Sequence, residues 1–302
     1  MKRLLLFALV LGMAACSAGS GGRAVPSVSD TANGTFRAPL DVLGGAPSMR
    51  SLKIALFDAP LANAPGAKVN IALDGIQLLA GGNAIPFSTN AQAQVVNLLD
   101  LQDHSLDFDG KAPAGVYSGV RFVINTAGSN VVIGGMTIPI VWGTPRRPVV
   151  GPVVAVDISV PFAVLPNGDE HGGTSVDLDF NVMQSVRFVR GTIYIQPSVS
   201  GAASAAKISG NVASASGTPV AGAAVVAMDP LGHVVNVTAT RTDGSYTLHA
   251  LPPGFYTIAV RNTYLTASGE TLTASGNDAN AAPFQRIVLS PHDDLHLGTL
   301  TD

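Results

Sequence analysis

Val176-Asp177-Leu178-Asp179-Phe180-Asn181 alternates apolar with polar side chains without a break. A backbone of period two sends successive side chains to opposite faces. The stretch therefore reads as a strand with Val176, Leu178 and Phe180 on a core and Asp177, Asp179 and Asn181 in water. The same period recurs at Ser51 to Leu56, at Val69 to Asp74 and at Val120 to Asn125. Turn chemistry at Gly81-Gly82-Asn83, Ala127-Gly128-Ser129-Asn130 and Asn167-Gly168 separates these runs. No window of useful length carries a helical period. Many short strands at this spacing predict an all-β chain, an antiparallel sandwich or barrel, and we take it as two antiparallel sandwiches in tandem.

Composition agrees with that reading. Charged residues make up 12% of the 302-residue chain, about half the usual share, while Gly, Ala, Val, Ser and Thr dominate. Apolar residues stay too plentiful for a disordered chain. The length is enough for two ordinary domains. Cys16 is the sole cysteine, which excludes disulfides within the chain and thiolate metal sites. Without Lys2 and Arg3, 15 basic residues face 20 acidic ones, a net charge of −5. That balance argues against nucleic acid and against anionic lipid headgroups as partners, because both require clustered positive charge.

The N-terminus has its own grammar. Lys2 and Arg3 precede an apolar run from Leu4 to Met13, and Ala14 and Ala15 lead directly to Cys16. Ten apolar residues are too few to span a bilayer of roughly 30 Å at 1.5 Å per residue, and they fit the core of an export signal. Met13-Ala14-Ala15-Cys16 resembles the lipobox of bacterial lipoproteins. The resemblance implies a signal peptide over 1–15 and acylation of Cys16 as the first mature residue. Several acyl chains would hold the protein to a membrane durably, since each buried methylene contributes about 0.8 kcal/mol. Ser17 in place of Asp implies, by the same resemblance, onward sorting to an outer membrane. The plainer account of Cys16 is an accidental cysteine after an ordinary signal. Residues 16–47 then read as a lipidated tether, opening with Ser17-Ala18-Gly19-Ser20-Gly21-Gly22.

Two folded regions follow, a β-sandwich over 48–200 and another over 207–302, with the small-residue run 201–206 between them as a linker. In the second, Thr242-Asp243-Gly244 predicts a tight hairpin. Leu251-Pro252-Pro253-Gly254 predicts a type II turn with Gly254 at the left-handed corner, and Tyr256, Ile258 and Val260 alternate beyond it.

Four motifs in order mark this second region: Ile208-Ser209-Gly210-Asn211-Val212, Gly217-Thr218-Pro219-Val220-Ala221-Gly222-Ala223, Thr242-Asp243-Gly244-Ser245-Tyr246 and Leu251-Pro252-Pro253-Gly254-Phe255-Tyr256. They resemble the carboxypeptidase regulatory-like domain. That resemblance implies a transthyretin-like sandwich and a non-catalytic accessory module, sometimes classed with carbohydrate-binding-like folds. Residues from about 50 to 199 resemble domain of unknown function 4382, found in bacterial lipoproteins. The carriers are Leu56-Phe57-Asp58-Ala59-Pro60, Val96-Asn97-Leu98-Leu99-Asp100-Leu101, Pro113-Ala114-Gly115-Val116-Tyr117, Val176-Asp177-Leu178-Asp179-Phe180 and Ile195-Gln196-Pro197. This second resemblance implies architecture and location and no activity.

Candidate sites are sparse. Asp177 with Asp179, and Asp107 with Asp109, each share a strand face and would hold calcium if the two pairs met; the plainer account is a solvated face. His292 and His296 flank Asp293 and Asp294. On a strand they stand about 13 Å apart, too far to share a metal, and no metal or other cofactor is expected. His104, His171, His233 and His249 are scattered over separate segments. Ser204-Ala205-Ala206-Lys207 matches a serine–lysine spacing of acyl-transfer enzymes but lies in the linker with no Lys-Thr-Gly partner. A two-carboxylate glycosidase site finds only Glu170 and Glu270 besides the aspartates. Trp142, with Tyr117 or Tyr194, would offer a stacking face to a glycan, although core packing explains Trp142 more simply. The sequence thus predicts a non-catalytic, lipid-anchored cell-envelope protein serving surface binding or structure, with an envelope protein or a glycan as partner. The alternatives are a carbohydrate-binding accessory protein and an enzyme of unknown type.

Overall fold

The structure, a computed structural model, describes residues 48–58, 66–87, 93–102, 104–167, 173–261 and 284–301. Cys16, the tether, Gly168, Glu170, His171 and Glu270 lie outside these residues. The described residues form two β-sandwiches. The first contains β1 (Met49–Phe57), β2 (Lys68–Ala80), β3 (Asn83–Pro86), β4 (Gln94–Asn97), β5 (Leu106–Pro113), β6 (Gly115–Ile133), β7 (Met136–Thr144), β8 (Arg147–Pro148), β9 (Val153–Val164), β10 (Thr174–Phe180), β11 (Val186–Val189), β12 (Thr192–Ile195) and β13 (Val199–Ala203). A 3-10 turn at Leu98–Gln102 and a single helical turn, α1 (Val182–Ser185), interrupt them. The second contains β14 (Ala206–Ala213), β15 (Ala224–Met228), β16 (Val234–Ala239), β17 (Ser245–Leu251), β18 (Gly254–Arg261), β19 (Phe284–Leu289) and β20 (Asp294–Thr301).

In the first sandwich a four-stranded sheet of order β13-β10-β1-β5 packs on a nine-stranded sheet whose spine is β11-β12-β7-β6-β2-β3. In the second, β17-β14-β20 faces β16-β15-β18-β19. Pairing is mainly antiparallel, as expected, but β1 with β10, β7 with β12 and β14 with β20 run parallel. The alternating residues fall inside as their period demands: Leu52, Ile54, Val176, Leu178 and Phe180 are all buried between the sheets.

Two turn signals resolve differently. Ala127-Gly128-Ser129-Asn130 is no turn but a wide bulge inside β6, where Ala72 pairs with Asn125 and Asn70 with Asn130. Side chains replace the lost ladder bonds. Asn125 Oδ1 accepts from the Ala127 and Gly128 amides, and Ser129 Oγ accepts from Ala72 N at 3.0 Å. Gly254 is not left-handed; the positive φ of that region falls on Ala250 (φ 52), where β17 carries one more residue than β14 across from it. Thr242-Asp243-Gly244 does turn, with Gly244 at φ 79 and Asp243 Oδ1 accepting from Ser245 N at 2.9 Å. Its two strands, however, belong to different sheets, so it is a corner of the sandwich.

One device recurs in both sandwiches. Pro113-Ala114-Gly115-Val116-Tyr117 and Pro252-Pro253-Gly254-Phe255-Tyr256 share a Pro-x-Gly-apolar-Tyr pattern. In each, the tyrosine hydroxyl donates to the carbonyl of the proline four residues back, at 2.6 Å from Tyr117 and 2.7 Å from Tyr256. This is a tyrosine corner pinning a strand entry. Burial raises the pKa of both phenols, that of Tyr256 to about 12. Replacing Tyr117 or Tyr256 by Phe is expected to lower stability by about 1 kcal/mol each, read as a shift in urea midpoint. Gly210 packs its backbone against Leu297 O and the Tyr246 ring, and a Cβ there would sit 2.5 Å from that carbonyl. Gly210→Ala is therefore expected to cost more than either tyrosine change.

Candidate functional site

The outer face of the four-stranded sheet carries every carboxylate that the strand pattern singles out. Asp107 and Asp177 both sit opposite Ala55 on the two strands flanking β1. With strands about 4.8 Å apart, their backbones are separated by two strand spacings, and Lys53 lies on the strand between. Lys53 Nζ pairs with Asp107 Oδ2 at 2.5 Å, and this contact raises the lysine pKa. The position a cation would take between the two pairs thus holds a side-chain ammonium.

Farther along the face, water is excluded. The chain leaves β13 through Ser204 and Ala205 alone, since Gly201, Ala202 and Ala203 are strand residues and Ala206 already opens β14. The expected linker is therefore two residues long, and Ser204 O accepts from His292 N of the second sandwich at 3.2 Å. So short a connection presses the second sandwich, through β17 and β16, onto the end of β10. Asp179, read from sequence as solvated, is instead 2% exposed.

The buried seam is a linked set of polar groups. Asn236 Nδ2, on β16, donates to Asp179 Oδ2 at 2.7 Å and to the His249 carbonyl of β17 at 2.8 Å. Asn181 Nδ2 donates to Val237 O at 2.7 Å, and its Oδ1 caps α1 by accepting from Gln184 N at 3.0 Å. Asp58, fully buried, accepts from Val182 N at 3.0 Å through Oδ1. Phe57 stacks on the His249 ring at 4.4 Å, and Arg241 Nη2 donates to Gln102 O at 3.1 Å. Desolvation drives the Asp179 pKa up to about 7, against a smaller opposing pull from Asn236. Its Oδ1 has no hydrogen-bond partner among the described residues.

Other expected sites are placed singly. Trp142 is 1% exposed inside the first core, so neither ring face is open and the glycan-stacking role expected for it does not form. Tyr117, stacked on Phe162 at 5.0 Å, is buried as well. His292 occupies a turn, whereas His296 lies on β20 with Nδ1 3.2 Å from Ser209 Oγ. Ser204 is in the interdomain turn, and Lys207 pairs with Asp294 at 2.8 Å. Among the described residues, no three His, Cys, Asp or Glu side chains converge on a metal position. No helix among them is long and apolar enough to cross a membrane. A void in the first core, lined by Leu56, Ile71, Phe122 and Phe180 among others, has room for about 10 Å³ and exposes no polar surface to a ligand. Asp58 and Asn236 were not singled out by sequence reasoning. Asp58 entered only as part of the Leu56–Pro60 family motif, with no role attached, and Asn236 interrupts an apolar run, Val234-Val235-Asn236-Val237, which is the one local sign of a buried amide.

Against known families, residues 50–195 match domain of unknown function 4382, and residues 207–285 match the carboxypeptidase regulatory-like domain. The chain carries both domains in tandem. The seam is thus the contact between the regulatory-like domain and its neighbour. The chain matches no curated protein. Similar solved structures include the Bacillus anthracis TIE protein, with 10% identity and a TM-score of 0.24 over 84% of this chain and 34% of that one. Others are BcpA, the major pilin subunit of Bacillus cereus (10%, 0.23, 85% and 70%), and the shaft pilin SpaA of Lactobacillus rhamnosus GG (8%, 0.23, 84% and 97%). The chain spans about a third of the length of the first of these. Likeness at that TM-score carries no argument about role.

The raised Asp179 pKa has a definite sign. The folded state keeps its proton up to about pH 7, while the unfolded chain releases it near 3.8. Stability is therefore greatest below pH 4 for this group and is lost as pH rises through 7, by roughly 4 kcal/mol at 1.36 kcal/mol per unit. Burial raises Asp177 as well and adds the same sign. Urea midpoints measured from pH 4 to 8 are expected to fall across this window, and Asp179→Asn to flatten the fall.

Proposed function

We propose that this chain is a non-catalytic, lipid-anchored module of the cell envelope, whose two sandwiches act as one rigid body in surface binding or envelope structure. The observation that carries this reading is the seam. A two-residue connection and a dry polar network lock the regulatory-like domain to its neighbour, which suits a spacer or platform. Both domain families carry no catalytic constellation in this chain's motifs, and the paired carboxylates are committed to Lys53 or to the seam.

The anchor rests on Met13-Ala14-Ala15-Cys16. Acylation at Cys16 fixes the chain to a membrane, and the 31 residues from Ser17 to Pro47 give the folded body a reach of at most roughly 110 Å. For a partner, Phe255 on β18 and Val288 on the edge strand β19 face each other across the ladder, 66% and 59% exposed. An exposed apolar pair beside an open strand edge suits contact with another envelope protein.

Metabolic labelling with a fatty-acid analogue is expected to mark the wild-type chain and to miss Cys16→Ser, which should also leave the membrane fraction. A labelled Cys16→Ser chain, or one that stays with the membrane after a carbonate wash, would remove the anchor. Rigidity has a separate readout. Scattering of the intact chain should give one compact particle, and Asn236→Ala with Asn181→Ala is expected to broaden it.

A further inference from the structure

The charge balance of the whole chain conceals how the fold distributes its arginines. Nine arginines lie among the described residues. Five of them have partners: Arg121 on Asp157 at 2.5 Å, Arg241 on Gln102 O, Arg261 on the Met228 sulfur, and Arg50 and Arg286 in further contacts. The other four, Arg146, Arg147, Arg187 and Arg190, are all exposed. None of their guanidinium groups meets a carboxylate among the described residues.

Two of these four lie on strands, Arg147 on β8 and Arg187 on β11, and two in the adjoining turns. Arg146 and Arg147 form the tip joining β7 to β8, with Arg147 opposite Thr144. Arg187 on β11 pairs with Tyr194 on β12, which pairs in turn with Val141 on β7. Arg190 closes the β11–β12 hairpin with φ 50. At strand spacings of about 4.8 Å and rises of about 3.3 Å, the four follow a diagonal about 25 Å long across the β11 end of the nine-stranded sheet, from the β11–β12 turn to the β7–β8 tip. No acidic residue occurs anywhere from Gly110 to Val156 or from Phe180 to Met228, so every strand of this edge lacks acid. Phe188 adds a 43% exposed ring within the same hairpin.

A stable fold gains nothing from four exposed cations with no acid among them, which leave their charge locally unbalanced. We infer that this arginine edge docks against anionic lipid headgroups of the membrane in which the chain is anchored. The inference builds on the proposed anchor. A chain held by Cys16 keeps its body within the covalent reach of the tether, where even modest attraction orients it. Guanidinium groups pair well with phosphate, and the surface potential of an anionic leaflet favours each arginine near it by about fivefold. A net charge of −5 on the mature chain disfavours anionic lipids on average but is silent about where the positive charges gather.

The test uses the mature chain, residues 16–302, with Cys16→Ser, so that neither the signal segment nor an acyl group contributes. Co-sedimentation is compared on phosphatidylcholine vesicles and on vesicles that also contain phosphatidylglycerol. Preferential binding to the anionic vesicles, weakened by salt, is expected. The variant Arg146→Gln/Arg147→Gln/Arg187→Gln/Arg190→Gln should lose at least about tenfold of that preference with its melting temperature unchanged, because all four side chains are exposed. Equal binding to both vesicle types, or an unchanged preference in the variant, overturns the inference. Binding to polyglutamate or single-stranded DNA with no preference among vesicles also overturns it and assigns the edge to a soluble polyanion. None of these outcomes bears on fatty-acid labelling at Cys16, so the anchor and the docking edge stand or fall separately.

Discussion

A carboxylate shut away from water next to a single amide sets the terms for the rest of this molecule. Asp179 sits at the end of β10 under the second sandwich, and among the described residues Asn236 is the one side chain that donates to it. Burying a charge this way is costly unless it is paired or neutralised, so the carboxyl keeps its proton far above the ordinary range. Everything near it is arranged to satisfy what remains. Asn181 caps a helical turn and holds the β16 edge with one side chain, and Asp58 receives the amide that follows. A network of this sort tolerates little sliding, since a shift of an ångström would orphan several buried groups at once. The two-residue connection at Ser204 and Ala205 and the polar seam therefore reinforce each other.

The two sandwiches solve the same structural problem alike. Each begins a long strand from a Pro-x-Gly-apolar-Tyr corner, and each tyrosine returns its hydroxyl to the proline carbonyl. In both the residue before the tyrosine faces outward, Val116 in the first and Phe255 in the second. The sheets then diverge in how they treat charge. The outer face of the four-stranded sheet neutralises its aspartates internally, through Lys53 or by burial. The nine-stranded sheet gathers unpaired arginines at one edge. A chain with a modest negative balance thereby presents a positive face.

Most of the strands were legible in the sequence because period two is a local property. Leu52, Ile54, Val176 and Leu178 need only their neighbours to declare a buried face. The turn at Thr242-Asp243-Gly244 was legible, since Asp243 and Gly244 carry its conformation themselves, but the hairpin expected there is a corner because β16 and β17 join different sheets. Ala127 to Asn130 misled because the side chains that build a turn also build a bulge, and only the partner strand β2 tells them apart. Gly254 misled for a related reason. Its left-handed corner was assigned from residue type, whereas the register of β14 against β17 placed the positive φ on Ala250.

The candidate site shows the same division more sharply. By itself the sequence determined that Asp177, Asp179, Asp107 and Asp109 lie on strand faces opposite a core, that Cys16 has no cysteine to pair with, and that two β domains follow one another. Those conclusions depend on spacing along the chain. Only the tertiary structure decided which outward faces meet water. Asp177 and Asp179 belong to one alternating run, yet one borders Lys53 and the other lies under a second domain. The four arginines come from segments forty residues apart and share one region of the surface because β12 pairs with β7 in parallel. Solvation and charge clustering are properties of surfaces brought together by folding, and no local pattern in the chain encodes them.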